Sequence, residues 1–462
     1  MEPALQNEIA ASPPIAVEAA APWWQGITRY QWIVLLMTSL GLMFDLMDVS
    51  LLQLAMSPAL RELLGAGSAT KDVGFYGGLI TTIFLIGWSL GGILFGIFAD
   101  YYGRKNALMV TILLYSVFTG LAIFSHTWWE FAIYRFITAL GIGGEWGAGT
   151  ALLAETWPER ARVKGGVILQ SASSLGSLVA ALINYTVGAY SWRYIFLVGA
   201  LPGFMLLGLR WWVKESDRWL AAAGQSTAPS GAAARAGQKS SSHSAIQPAR
   251  RHSRFTLSEI LGKEHRRDTI VGATLATIVA FGFWAVGWFI PPMVSELLAQ
   301  GGRSVSSVAV VHYVSNSRIL TALGSLACYA IFLFMNTEWR RKTVLLVFFL
   351  GSFITTIMML YIPHSLAGLF MLLPINGFFT LGSWVVFPIY LPELYPTRLR
   401  GTGAGFCFTV GRALSAIGPT MTGSLVRLTG SFVFAMTVPA FIYLLGPLVL
   451  VYARETRGQK LQ

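Results

Sequence analysis

Two carboxylates lie three residues apart in the apolar stretch GLMFDLMDVSLL, residues 41–52. Asp45 and Asp48 share one helix face, because residues i and i+3 are neighbours on a helix surface. Burial disfavours a charged carboxylate, whereas a nearby cation favours it. A pair of buried acids in such a setting can therefore bind and release a proton as its surroundings change.

Further charges fall inside apolar runs, where a charge costs a few kcal/mol or more and usually faces a cavity or a partner. These residues are Arg135, Glu145, Arg318 and Arg412, so that three acids balance three bases. His312 is a weaker candidate near the end of its run. The glycines around Glu145 equally favour a structural role in close helix packing.

An estimate of depth in the bilayer places Asp48 and Arg135 at a similar level. At about 1.5 Å per residue, Asp48 lies roughly 25 Å from the inner face and Arg135 roughly 9 Å from the outer face of a core of about 30 Å. We predict that they pair and that protonation of the acid releases the pair. The first choice of proton carrier is Asp48 and the second is Asp45, with Arg135 as the permanent counter-charge. A static salt bridge is the alternative.

Arg318 and Arg412 fall near the middle of their runs. Arginine binds carboxylates bidentately, so two such residues facing a cavity predict an anionic substrate, such as a carboxylate or a sugar acid. Alternatively, one or both pair with helix-end carbonyls or internal acids. Further predicted substrate contacts are Asn316, Asn376, Trp384 and Gln170.

The elements that must position these residues are membrane spans. Of the 462 residues, 55% are hydrophobic and 12% are charged, with a mean hydropathy of +0.60, whereas soluble domains carry about 25% charged residues. Runs long enough to cross a bilayer recur twelve times. They lie near 31–53, 75–98, 107–125, 129–152, 166–188, 193–213, 269–290, 307–335, 343–362, 367–391, 402–425 and 430–452.

The net charge of +12 is a topology signal. Of the 33 Lys and Arg residues, 25 fall at one set of loops and ends, three lie within spans, and five lie at the opposite loops. Those five are Arg61, Lys71, Arg193, Arg303 and Arg427. This positive-inside bias predicts a multi-pass protein of the inner membrane with both termini cytoplasmic, and no nucleic-acid partner. The N-terminal 28 residues lack the apolar core of a cleavable signal.

A polar segment at 214–268 divides the chain into two halves that repeat each other. We predict a tail at 1–28, a six-helix half at 29–213, a cytoplasmic linker at 214–268, a second six-helix half at 269–453 and a tail at 454–462. AETWPERARVKGG (154–166) aligns with PELYPTRLRGTGA (392–404), and GRK (103–105) more weakly with RRK (340–342). Two related halves with a site between them are typical of transporters.

These motifs resemble the major facilitator superfamily over nearly the whole chain. GIFADYYGRK (96–105) fits its G-x-x-x-D-x-x-G-R-K loop, and the P-E-x-x-P-x-x-x-R-type repeat also fits. The fold class implied is an all-α membrane protein with twelve transmembrane helices in two six-helix halves. The resemblance implies a gating loop, in which Gly96 lets helices approach closely; the alternative is that these residues only anchor the topology. The residues are Gly96, Asp100, Gly103, Arg104, Lys105, Glu155, Arg162, Glu393 and Arg400.

A narrower resemblance is to metabolite, sialate and aromatic-acid proton symporters. FDLMD looks like their D-G-F-D motif, with Leu46 and Met47 in place of the usual residues between the acids. RFITALGIGGEWGAG (135–149) and VGRALSAIGP (410–419) look like their spans four and eleven. In sugar-porter relatives, the acid and arginine that match Asp48 and Arg135 couple transport to protons.

We therefore predict a secondary active transporter that takes up a small organic anion with protons by alternating access. The alternatives are a proton-driven exporter and an uncoupled facilitator. The resemblance implies a monomer in the bilayer whose partners are the substrate and protons. No cofactor motif is present, and the scattered histidines argue against a membrane enzyme. The linker is too poor in apolar residues to be the signalling domain of a receptor.

Overall fold

The computed structural model describes residues 22–65, 69–102, 104–210, 256–300, 306–335, 339–362, 365–396 and 399–456, and these ranges are helical with no strand. Six helices form the N half. They are α1 Arg29–Leu63, α2 Thr70–Tyr102, α3 Arg104–Leu121, α4 Trp128–Thr156, α5 Glu159–Val187 and α6 Trp192–Arg210.

The C half begins after a short helix, Thr256–Ile260, and several of its helices are interrupted. Its segments are α7a Arg266–Ala285, α7b Ile290–Gln300, α8 Ser307–Phe334, α9 Arg341–Tyr361, α10a Leu366–Thr380, α10b Phe387–Glu393, α11a Arg400–Ser415, α11b Ile417–Thr429, α12a Phe432–Ala440 and α12b Leu445–Tyr452. Between α7a and α7b the chain forms a 3-10 turn just before Pro291 and Pro292, which lack the N–H that a continuous helix needs.

Twelve membrane-crossing helices make up the two halves, as the sequence predicts. Within the described ranges, nine helical stretches are long and apolar enough to cross a membrane. The other three helices pack along these: α4 along α2, α6 along α3 and α11 along α7. The Gly-, Ser- and Thr-rich sequence of α11 explains its lower hydropathy, because small residues let helix backbones approach closely.

The two halves repeat one packing pattern. In the N half, α1 packs on α5, α2 on α4, and α3 on α6; in the C half, α7 packs on α11, α8 on α10, and α9 on α12. The halves meet through two equivalent pairs, α2 with α11 and α5 with α8. We call the end where α1 begins and α12b ends the near end, and the opposite end the far end.

Helix lengths differ from the sequence prediction at two places. The first span, predicted at 31–53, is a helix of 35 residues that continues to Leu63, about 50 Å long. The seventh, predicted at 269–290, begins at Arg266 and its continuation ends at Gln300. Leu60 is buried against the protein core, so tertiary packing extends α1 beyond its apolar run. Residues 1–21 and 211–255 lie outside the described ranges, so the predicted tail and linker boundaries stay predictions.

Candidate functional site

Asp48 and Arg135 form a buried ion pair inside the N half. Arg135 Nη1 lies 3.2 Å from each carboxylate oxygen of Asp48, and the residues are 0% and 1% exposed. The pair joins α1 to α4, which is the contact that the depth estimate predicts. Its role in proton coupling stays a prediction.

Side chains from neighbouring helices hold both members of this pair. The hydroxyl of Thr119 on α3 donates to Asp48 Oδ1 at 2.7 Å. Arg135 Nη2 donates to Thr138 Oγ1 at 3.2 Å, and the guanidinium lies 4.6 Å from the centre of the Phe196 ring. Because Arg135 has other acceptors and an aromatic neighbour, it can remain in place when the charge on Asp48 changes.

Asp45 lies one turn before Asp48 on α1, is 1% exposed, and contributes to the electrostatic environment of Arg412 on α11a. Of the two acids of α1, Asp48 therefore has an arginine partner at ion-pair distance within the N half.

Arg412 lies on an aromatic surface. Its guanidinium carbon is 4.0 Å from the centre of the Trp88 ring and 4.8 Å from that of Phe408. The residue is only partly buried, so a surface at the interface between the halves remains accessible. An arginine held over a ring in this way can bind a carboxylate bidentately while the ring stabilises its charge.

The aromatic surface continues through rings from both halves. Trp88 contacts Trp284 edge to face at 6.0 Å, and Phe283 lies beside Trp284. Trp384, a predicted substrate contact, packs edge to face on Phe283 at 6.3 Å and on Phe408 at 5.7 Å. The rings come from α2, α7, α10 and α11, so together with Arg412 they form one apolar cluster with a single cationic group.

Arg318 is a second buried cation between the halves, but it has a different environment. It is 5% exposed, and its Nη2 donates to the hydroxyls of Ser50 on α1 and Ser177 on α5 at 3.2 and 3.1 Å. Its Nε has no hydrogen-bond partner among the described residues. Within the described part of the chain, no carboxylate forms an ion pair with it. Among the described residues, hydroxyl groups are thus the partners that balance this charge, an arrangement that an incoming anion would stabilise.

The three predicted amide contacts are not gathered at one place. The side chain of Asn376 donates to Thr355 and Thr356 on α9 at 3.3 and 3.1 Å, inside the C half. Gln170 lies close to the hydroxyl of Tyr329 between α5 and α8. Asn316 is half-buried on α8, two residues before Arg318.

Sequence reasoning missed several polar groups that bridge the halves. Gln53 Nε2 donates to the carbonyls of Gly287 and Trp288, at 2.9 and 3.0 Å, and so satisfies acceptors that the break in α7 frees. Lys164 Nζ donates to three carbonyls at the end of α8. The sequence feature that could have identified Lys164 is its place in the repeated segment AETWPERARVKGG. The sequence also predicts His312, which stacks on Tyr185 at 3.9 Å near the far end.

The predicted gating residues are partly described. Glu393 accepts two hydrogen bonds from Arg341, at 3.0 and 3.2 Å, so the repeat PELYP meets the RRK loop. Arg400 Nε donates to the Pro392 carbonyl at 3.2 Å. Gly103 and the side chains of Asp100, Arg104, Lys105, Glu145, Glu155 and Arg162 lie outside the described residues.

The role of Gly96 in the gating loop stays a prediction. A methyl group at this position would meet no heavy atom of the described residues within 4 Å. Close packing of α2 occurs at other glycines, where a methyl group would overlap the carbonyl of Leu140 on α4 (at Gly91) or that of Pro419 on α11b (at Gly78).

The sequence matches a known family of transporters along most of its length. The family described as "Sugar (and other) transporter" matches residues 34–462. The chain belongs to this family. It is accordingly a major facilitator superfamily transporter and not an enzyme, and it is embedded in a membrane by multiple helices.

Relatives along the whole length are transport proteins. A Haemophilus influenzae protein named for metabolite transport is 30% identical over 441 residues, which cover 94% of this chain and 99% of the relative. The sialic acid transporter NanX of Escherichia coli is 27% identical over 87% of this chain and 89% of its own length. The partially occluded inward-open structure of the xylose transporter XylE from E. coli shares the fold, with a TM-score of 0.70 at 18% identity, covering 94% and 100% of the two chains.

Proposed function

We propose that the protein takes up a small organic anion together with protons, by alternating access. The observation that carries this proposal is the buried ion pair between Asp48 on α1 and Arg135 on α4, inside a helix bundle of a transporter family. Asp45, one turn earlier on α1, contributes to the electrostatic environment of Arg412 in the other half. The named substrates of relatives, which include sialic acid, niacin and gallate, are consistent with an acidic cargo.

In this proposal, Asp48 carries the proton. Protonation removes its attraction for Arg135 and leaves a neutral acid hydrogen-bonded to Thr119. The guanidinium of Arg135 stays charged and keeps Thr138 as an acceptor. Loss of the ion pair frees α1 to move relative to α4, which is the kind of local charge change that biases a two-state element.

The substrate carboxylate binds Arg412, which lies over the buried ring of Trp88. The partly exposed ring of Trp384 then contacts the rest of the substrate, and it favours a planar ring attached to the carboxylate over an extended aliphatic acid. Arg318 offers a second site of positive charge for a substrate that carries another acidic or hydroxyl group.

Alternating access follows from the two pairs of helices that join the halves. Toward the far end, Arg427 pairs with Asp72 at 3.6 Å and Thr82 donates to the Ala416 carbonyl at 2.5 Å. Toward the near end, a methyl group at Gly96 on α2 or at Gly405 on α11a would meet no heavy atom of the described residues within 4 Å, whereas Lys164 joins α5 to α8. We propose that the near end is cytoplasmic, that the membrane is the inner membrane, that the monomer is the working unit, and that rocking of the halves opens the two ends in turn.

Uptake into proteoliposomes tests the proposal. The panel comprises sialic, nicotinic, benzoic, dicarboxylic and sugar acids under an inward proton gradient, with wild type beside Asp48→Asn. We expect one acid to accumulate above equilibrium, and the variant to lose accumulation while keeping exchange of internal for external substrate. Uptake that only equilibrates in both proteins would indicate a facilitator, and accumulation driven by an outward proton gradient would indicate an exporter.

A further inference from the structure

A groove of about 580 Å³ lies at the near end, between the start of α7a and the end of α12b. Lys263, Arg266 and Arg267 line it on the side of the helix start, and Ile270 and Leu448 lie among the residues on the other side. The nine residues that line the groove include no acid within the described part of the chain. The groove is far from the α1 carboxylates and plays no part in the proposed transport path.

The described lining of this groove carries three bases, Lys263, Arg266 and Arg267. Arg266 and Arg267 occupy the first turn of α7a, where the helix dipole already disfavours cations. Asp268, the acid of that turn, is 5% exposed and accepts from Arg454 at 2.9 Å. Arg267 Nη2 donates to the Tyr452 carbonyl at 3.1 Å, which fixes the guanidinium and leaves its other donors to the groove.

The floor of the groove continues onto the apolar outer surface of the bundle. Ile270 is 51% exposed and Leu448 is 63% exposed, and both lie on helical stretches long enough to cross a membrane. Ile270 follows Arg266 by one helical turn, about 6 Å. The groove therefore meets the headgroup level of a bilayer at its basic rim and the acyl-chain level at its floor.

We infer that the groove binds an anionic phospholipid. The phosphate contacts Lys263, Arg266 and Arg267, and an acyl chain lies along Ile270 and Leu448. Basic pockets between helices at the positively charged side of a membrane protein suit such headgroups. The chain segment just before Thr256 carries Arg250, Arg251 and Arg254, and this positive charge makes it a poor ligand for the groove.

Native mass spectrometry of the delipidated full chain in detergent tests this inference. The protein is titrated with phosphatidylglycerol and, separately, with phosphatidylcholine of the same acyl chains. We expect the wild type to bind phosphatidylglycerol more tightly than phosphatidylcholine. The variant Lys263→Gln/Arg266→Gln/Arg267→Gln should lose about 100-fold in affinity for phosphatidylglycerol, because each interfacial base contributes roughly fivefold. Binding of phosphatidylcholine should not change. Equal affinities of the wild type for the two lipids would overturn the inference.

A matched control removes three other bases from the near end. Arg29→Gln/Arg340→Gln/Lys342→Gln should leave phosphatidylglycerol binding within about twofold, because these residues lie at the starts of α1 and α9. A similar loss in both triple variants would show a general charge effect and overturn the site. If the groove triple variant fails to fold, Lys263→Gln alone should weaken binding about fivefold, and an unchanged affinity would overturn the inference.

Two further measurements separate a lipid from a free anion. Ile270→Ser/Leu448→Ser should weaken phosphatidylglycerol binding at least about tenfold through lost apolar contact. Ile354→Ser/Met371→Ser, which alters exposed apolar residues of α9 and α10a, should not. Millimolar inorganic phosphate should fail to displace the lipid. Displacement by phosphate, or equal effects of the two serine variants, would contradict a lipid site.

Discussion

Asp48 pairs with Arg135 at 3.2 Å, and Asp45 lies one helical turn away on the same helix. A proton on Asp48 loosens a contact within the N half, whereas a change at Asp45 alters the electrostatic environment of Arg412 in the other half. One helix thereby links the predicted proton site to the surface on which Arg412 lies.

Replacing only one member of the Asp48–Arg135 ion pair should destabilise the protein strongly. Arg135→Met leaves a buried carboxylate without its cation, and we expect a loss of about 3–5 kcal/mol in stability. Asp48→Asn/Arg135→Met should recover most of that loss, because both charges are gone. Thermal unfolding in detergent measures both variants. Equal losses in the single and double variants would show that the pair is not coupled.

The exposed far-end pair supplies the matched control. Asp72 and Arg427 lie 3.6 Å apart with side chains 32% and 51% exposed. Breaking this pair with Arg427→Met should cost less than about 1 kcal/mol, since water screens it.

The hydroxyl of Thr119 should tune the pH dependence of uptake. It donates to Asp48 and favours the ionised form, so Thr119→Val makes the acid easier to protonate. Uptake that requires protonated Asp48 should then persist to higher pH, with the alkaline limb of the profile displaced toward higher pH. The profile is measured as initial uptake rate against external pH.

Thr81→Val is the control for this displacement. Thr81 is equally buried, and its hydroxyl donates only to the Gly77 carbonyl of its own helix. Its profile should match that of wild type. A displacement toward lower pH in Thr119→Val would contradict the proposed role of Asp48.

The twelve spans and the Asp48–Arg135 contact could be predicted from the sequence because each depends on distance along a helix. The length of each apolar run predicts a membrane span, and the helical rise per residue predicts the depth of a charged residue within that span. The face on which a side chain lies is harder to predict, since an error of one residue rotates it by about 100°. Asn376 illustrates this limit, because its amide bonds to α9 within the C half.

The contacts between the halves could not be predicted for a different reason. Gln53 donates hydrogen bonds to carbonyls that are free only because the helix α7 is interrupted. The sequence around Gln53 gives no sign of that interruption, and the sequence of α7 gives no sign of Gln53. The same holds for Trp88 and Trp284, which contact each other from different halves. The sequence shows an aromatic-rich chain, whereas the cluster depends on how two six-helix units pack.

Arg412 should control substrate affinity through its planar group and its position over Trp88. Arg412→Lys retains the charge but loses bidentate binding, and we expect KM for the transported acid to rise about 10- to 100-fold. Trp88→Leu should raise KM about tenfold, for loss of a cation–π contact worth about 1–2 kcal/mol. Initial uptake rates against substrate concentration give both values.

Arg427→Lys is the matched control for Arg412→Lys. Arg427 also lies over an aromatic ring, with its guanidinium carbon 4.8 Å from the centre of Phe75, but it is at the far end. KM should stay within about twofold of wild type, because only the loss of a substrate contact raises it. A rise equal to that of Arg412→Lys would argue against a substrate contact at Arg412.

Lys164 should hold the near ends of α5 and α8 together. Its ammonium group donates to the carbonyls of Phe332, Leu333 and Met335 at 3.3, 2.6 and 2.5 Å, and so satisfies acceptors at the end of α8. Lys164→Met removes these hydrogen bonds, and we expect the population with separated near ends to rise about tenfold.

Cysteine labelling measures that change. Ser325 is fully buried between α8 and α5, where it bonds to Ser174 at 2.6 Å, so Ser325→Cys reports separation of these helices. With Cys328 and Cys407 replaced by serine, its alkylation by a charged maleimide should become about tenfold faster in Lys164→Met. Lys342→Met removes another near-end lysine and should leave the rate unchanged. An unchanged rate in Lys164→Met would mean that apolar packing alone closes this interface.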